Sequence, residues 1–265
     1  MISAPLLGYL VRRCRRAGAI CFLLPVLLGA VFGLIWPEFR QQLAMAKGLL
    51  SIAKSLFGSE YLDLASPAGF FQIPFAHPLT VFALLIAIAV PTLSLPAAAR
   101  DRWLDPLLAT GVTRRQLVVT VAAAALPFAL LQGIAPLIGT YLGARVAGVV
   151  QELPFDGYLR VALEAALLAF FFIGLATLLS VTAPDFLSAV TRLFGAVLAS
   201  LLCEITGTLW QAVRPLKYLS PYGYFEPAQV IAGVAHYGRD CGVLLAGGLL
   251  FLVIAVVVEE RRRSA

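Results

Sequence analysis

The chain has 265 residues, 61% of them apolar and 13% charged, with a net charge of +6. A soluble domain carries roughly 25% charged residues, so a water-soluble globule is excluded. The length suffices for one all-α membrane bundle of about six spans and leaves no room for a separate soluble catalytic domain. The basic excess sits at the ends of apolar runs and makes no long basic face, so nucleic acid is a poor explanation for it.

At the amino terminus, Leu6, Leu7, Leu10, Val11 and Cys14 form an apolar stripe interleaved with Arg12, Arg13, Arg15 and Arg16. This pattern predicts an interfacial helix over residues 1–16 leading into a retained first span from Ala17 to Trp36, not a cleaved signal. Between Pro37 and Pro74, Leu43, Ala46, Leu50, Ala53 and Phe57 recur at helical spacing and predict an amphipathic surface helix.

Two charge-free runs, Phe75–Ala99 and Leu117–Ala144, are each long enough to cross a bilayer, and the second span is expected from near Phe75 to near Pro96. Between the runs lies RDRWLDPLLATGVTRRQ, residues 100–116, with four arginines. Arginine near span ends favours the cytoplasmic side, so Arg100, Arg102, Arg114 and Arg115 assign this connector to the cell interior. Asp101 or Asp105 can cap a short helix, Gly111 can stop it, and Thr113 with Gln116 has capping-box spacing for the third span. Two readings stay open: a solvated connector with arginines at lipid headgroups, or a docking element for a cytoplasmic partner.

The third span contains Pro127, Gly133, Pro136 and Gly139, which predict a bend whose freed backbone groups need neighbours or a polar cavity. A fourth span is expected from Leu159 to Val181, with Glu164 interfacial near its outer end. The turn TAPD, Thr182–Asp185, makes a tight hairpin with the fifth span, and Arg192 is close enough to the interface to snorkel. Glu204 has the strongest claim among the ionisable residues to a membrane-embedded role, against a local pairing at the outer mouth. The segment 209–240, with YLSPYGYFEP at Tyr218–Pro227, predicts short helices that dip into the outer leaflet or pack over the bundle. Tyr222, Tyr224 and Glu226 join Glu204 as candidates for a gate or pathway. The sixth span, Gly242–Val258, ends at EERRR.

These assignments put twelve of the 20 Lys and Arg residues inside and eight outside, with both termini cytoplasmic. Cys14, Cys21, Cys203 and Cys241 show no paired spacing and read as small core residues, and His77 and His236 are the only histidines, so a metal or redox site is not expected.

The basic amino terminus, the six spans, the inner RDRWLDPLLATGVTRRQL at Arg100–Leu117 and the outer LSPYGYFEP at Leu219–Pro227 together resemble a type-2 ABC transporter permease over nearly the whole chain. The resemblance implies a single permease domain over residues 1–265 with the exporter fold, a coupling segment at 100–116 and outer re-entrant helices at 209–240. It also implies a bacterial inner-membrane assembly of two permease subunits, as a homodimer, with two cytoplasmic ATP-binding subunits. Arg100, Arg102, Leu104, Leu107, Leu108, Arg114 and Arg115 would contact that partner. The frequent acidic and Thr-Leu lead into the two-leucine pattern is altered here to Asp101 and Leu104-Asp105-Pro106. The sequence has no phosphate loop of the form G-x-x-x-x-G-K-[ST], so ATP and Mg would belong to the partner, with no cofactor in this chain. Two further classes remain open: a membrane-embedded enzyme built on Glu204, His236 and Asp240, and a non-transporting assembly or sensory module that uses the inner connector as its binding surface.

Overall fold

The computed structural model describes residues 2–45, 66–93, 111–233 and 236–261. A segment in lipid must satisfy its backbone hydrogen bonds internally, and the long apolar runs accordingly form helices. In chain order these are α1 (Ala4–Met45), the short α2 (Pro67–Phe71) and α3 (Ile73–Ala76), α4 (Pro78–Thr92), α5 (Arg114–Val146), α6 (Phe155–Thr182), α7 (Phe186–Leu209), α8 (Pro227–Ala232) and α9 (Tyr237–Arg261). Two 3-10 helices, Gln211–Leu219 and Pro221–Tyr224, fill the interval between α7 and α8. Among the described residues, six segments are long and apolar enough to cross a membrane: α1, Gly69–Thr92, α5, α6, α7 and α9. The protein is a polytopic all-α membrane protein.

Residues 1–16 do not form a separate interfacial helix, and Pro37 does not end the first span. Instead α1 runs unbroken for 42 residues, about 63 Å, twice the thickness of a hydrocarbon core of about 30 Å. The reason is its packing partner. Leu6 and Leu10 are buried against Leu117, Val118 and Val121 of α5, so the apolar stripe meets protein. The Ser3 N–H donates to Thr120 Oγ1 at 3.0 Å. The helix predicted between Pro37 and Pro74 falls largely outside the described residues.

Helices α1 and α5 run side by side in the same direction, because Ser3 meets Thr120 at one end and Trp36 meets Glu152 at the other. Helix α6 returns, and α9 accompanies it: Tyr237 Oη donates to the Arg160 carbonyl, and Gly174 faces Gly248. One end of the bundle therefore holds Ser3, Arg114 and Glu259, and the other holds Trp36, Glu152 and Tyr237. The main core lies toward the Trp36 end, where Trp36, Phe70, Phe71, Phe75 and Tyr158 cluster.

The third span remains one helix across both prolines, and its glycines turn out to be contact points. A Cβ on Gly133 would lie 2.4 Å from the Ala162 carbonyl oxygen of α6, and one on Gly139 would lie 2.0 Å from the Val26 carbonyl oxygen of α1. Glycine is needed there because two backbones approach closely. Glu164, expected at an interface, is instead buried at 1% exposure. It faces inward from α6 beneath the segment that follows α7.

Candidate functional site

Helix α7 stands apart from the bundle. Asp185 caps it by accepting from the Ser188 N–H at 2.8 Å, and Arg192 reaches back to the Thr182 carbonyl at 3.2 Å, which closes the tight α6–α7 hairpin. Beyond that turn only Ala189, Leu193, Val197 and Gly207 of α7 are buried. Its far end is held by the chain that follows, because a Cβ on Gly207 would lie 2.6 Å from the Lys217 nitrogen. The Lys217 backbone is thereby pressed onto α7. Ser220 accepts from the Tyr222 N–H at 3.1 Å and starts the next 3-10 turn, Lys217 Nζ donates to Glu226, and Gly233, at φ +73°, ends α8 in the left-handed region. Short helical pieces are expected over residues 209–240; the described part up to Gly233 consists largely of them, whereas Tyr237–Asp240 already belongs to the spanning helix α9.

Between α4, α5, α6 and α7, roofed by this segment, lies a cavity of about 1010 Å³. Apolar side chains make most of its wall, and polar groups collect toward the Trp36 end. Three of the four candidate pathway residues, Glu204, Tyr222 and Glu226, line it. The fourth, Tyr224, is not among its lining residues and donates its hydroxyl to the Tyr218 carbonyl at 3.1 Å. His236 and Asp240, weighed with Glu204 as an enzyme constellation, do not line the cavity either. Asp240 is bound to Arg239 at 2.8 Å.

The electrostatics of the wall follow from few residues. Glu204 accepts from Thr208 Oγ1 at 3.3 Å, one helical turn away. Tyr222 is buried, its hydroxyl has no hydrogen-bond partner among the described residues, and burial pushes its phenol up from the usual range. Gln132 is 4% exposed and lines the cavity, and its Oε1 also has no partner among the described residues. Pro136 stands four residues on in the same wall. Having no N–H, it frees the Gln132 backbone carbonyl. The prolines of this span predict freed backbone groups that need either neighbours or a polar cavity, and Gln132 is not singled out by that pattern. The signal was present: an amide side chain four residues before a proline in a run without charge.

The inner connector is visible only at its exit. Arg100, Arg102, Leu104, Leu107 and Leu108 lie outside the described residues. Gly111 adopts φ +83°, and the predicted capping box is present, with Thr113 Oγ1 accepting from the Gln116 N–H at 3.2 Å and Gln116 Oε1 accepting from the Thr113 N–H at 2.9 Å. Arg115 is exposed. Arg114, expected to face headgroups or a partner, pairs at 2.8 Å with Glu259, whose side chain is 10% exposed. The start of α5 is thus tied to the end of α9.

Comparison of the chain with protein-family models, with curated proteins and with solved structures finds no match.

Proposed function

We propose that this chain is the membrane-spanning subunit of an ATP-driven exporter of the type-2 ABC permease class, acting as a homodimer with two cytoplasmic ATP-binding subunits. The observation that carries this reading is the course of α5. One helix begins at the arginine-rich connector, is tied there to α9 by Arg114 and Glu259, and reaches the cavity wall at Gln132 and Pro136. A nucleotide-driven push on the connector is then passed along a rigid rod to the cavity, where a change of packing alternates its access. The ATP-binding subunit supplies nucleotide hydrolysis, and this chain supplies the docking surface and the path.

Within the connector, a buried interface leucine is worth roughly 1.5–3 kcal/mol through removal from water, and an exposed ion pair at most about 1 kcal/mol. Leu107→Asp or Leu108→Asp should therefore leave the spans inserted but release the ATP-binding subunit and uncouple its hydrolysis from transport. Arg114→Ala should weaken retention less, because that side chain is already engaged by Glu259. The check is co-purification with a crosslinking map. If the ATP-binding subunit crosslinks elsewhere and never near residues 100–116, the docking assignment fails.

The orientation is tested separately by single-cysteine labelling in a cysteine-depleted chain. Arg102→Cys and Arg263→Cys are expected to label from the cytoplasm, and Lys47→Cys and Lys217→Cys from outside. The opposite pattern overturns a bacterial plasma-membrane topology with cytoplasmic termini.

A further inference from the structure

The structure assigns Glu164 as the proton-carrying group of a pH-sensitive latch: the roof of the cavity, residues 211–232, closes over the neutral acid and lifts when the acid ionises. The latch belongs to this chain alone and does not rest on the exporter reading.

Glu164 stands about 14 Å along α6 from Phe155, and it is 1% exposed. The roof is seated on α6 to either side of it. Toward the start of α6, a Cβ on Gly157 would lie 3.1 Å from the Ile231 Cα of α8. Further along, the rings of Phe172 and Tyr222 have centroids 5.5 Å apart. Helix α9 closes a third side, where Tyr237 Oη donates to the Arg160 carbonyl at 3.2 Å. Lifting the roof is what brings water to Glu164.

The titratable groups that face this carboxyl are acidic or neutral. The roof contributes the carboxylate of Glu226 together with its backbone N–H, and α9 contributes the Asp240 carboxylate, the Tyr237 hydroxyl and the Cys241 thiol. The neighbouring cations are committed elsewhere. Lys217 holds Glu226, Arg239 holds Asp240 at 2.8 Å, and Arg160, one turn before Glu164 on α6, is exposed. Among the described residues no Lys, Arg or His pairs with Glu164, and its Oε2 has no hydrogen-bond partner. An ionised Glu164 would be an unpaired charge out of water beside two like charges, the costliest arrangement for a carboxyl. The neutral acid carries no such charge, and its O–H is a donor among acceptor oxygens.

Proton binding and roof position are then linked. The closed roof brings the Glu226 carboxylate and excludes water, and both favour the neutral acid. A lifted roof removes both, so the open form releases the proton. Closure is fully favoured below the pH at which Glu164 ionises in the open form, and is lost as pH rises through the value at which it ionises in the closed form. One linked proton changes the open-to-closed ratio by up to about tenfold per pH unit within that window.

The test uses the full-length chain in phosphatidylcholine nanodiscs, with its four cysteines replaced by alanine and no other subunit present. Val230→Cys reports on the roof, since Val230 of α8 is buried at 3% exposure. Gln211→Cys, at an exposed position, corrects for the pH dependence of thiol labelling itself. The ratio of the first labelling rate to the second, with a water-soluble maleimide, is expected to rise about tenfold or more between pH 6 and pH 9. Glu164→Gln keeps the shape and cannot ionise, so it should hold the ratio at its low value throughout. Glu164→Met serves the same purpose should the amide variant fold poorly. Infrared difference spectra at pH 6 should show one protonated-carboxyl stretch in the parent that these variants lack. A flat ratio in the parent, an equal rise in a folded Glu164 variant, or no carboxyl stretch lost with Glu164 overturns the proposal. Co-purification of an ATP-binding subunit, which tests the exporter reading, succeeds or fails separately from all three.

Discussion

Gly139→Leu is expected to separate α1 from α5 and to remove most of the folded protein. The two helices cross through paired G-x-x-x-G motifs, Gly29 with Gly33 on α1 and Gly139 with Gly143 on α5. A Cβ would lie 2.6 Å from the Pro136 carbonyl oxygen at Gly29, 2.6 Å from the Ala144 nitrogen at Gly33, 2.0 Å from the Val26 oxygen at Gly139 and 2.2 Å from the Ala30 oxygen at Gly143. These neighbours are backbone atoms, which have no rotamer by which to give way. In lipid, association has no hydrophobic term to compensate, since the tails solvate leucine as well as another helix does, and close van der Waals contact is what holds the pair. Overpacking ordinarily costs 1–3 kcal/mol, and against backbone the cost should be about 3 kcal/mol or more. Size-exclusion profiles in mild detergent are the measurement, with loss of the monodisperse peak as the expected result. Gly242→Ala is the control: nothing lies within 4 Å of its added Cβ, and a helical alanine is favoured over glycine. A normal profile for Gly139→Leu would show that the helices do not cross here.

Trp36→Ala is expected to destabilise the bundle by about 3–5 kcal/mol, the usual cost of emptying a buried aromatic site. Trp36 is fully buried, with ring centroids 5.0 Å from Phe70 and 5.3 Å from Phe71. Its Nε1 donates to Glu152 at 2.7 Å, and the other carboxylate oxygen of Glu152 takes Arg40 at 2.6 Å. Trp36→Phe separates the contributions. It keeps a ring among the phenylalanines and removes one hydrogen bond to a partly exposed carboxylate, so its cost should be about 1 kcal/mol. Arg40→Ala, at a half-exposed pair, should lose no more than that. Thermal unfolding of the purified variants orders them. If Trp36→Ala unfolded no earlier than Trp36→Phe, the aromatic cluster would not be a principal support of this end.

Several features were legible because their physics is local. A run of apolar residues long enough for a bilayer marks a span wherever it occurs, and all six spans appear near their expected places. Thr113 and Gln116 form a capping box because both partners lie within one turn. Pro184 and Asp185 set the α6–α7 hairpin by the same short-range logic.

What was misread depended on which residues meet across the chain. Leu6 and Leu10 have the pattern of an interfacial stripe, and only the presence of Leu117, Val118 and Val121 opposite them turns it into a packing face. The glycines of α5 signal a bend or a contact equally well until α1 and α6 are placed beside them. Glu164 sits where a helix end would meet water, but the segment after α7 folds over it.

By itself, then, the sequence determined the class, the apolar spans and the Thr113–Gln116 cap, since hydropathy and capping act within a single segment. Only the tertiary structure decided that Arg114 is bound to Glu259, 145 residues away, and that Gln132, Glu204 and Tyr222 border one cavity. The reason is that a polar group in an apolar helix specifies its need for a partner without specifying which helix answers it. That is set by the close approaches its small residues permit, and those approaches exist only once the backbones have met.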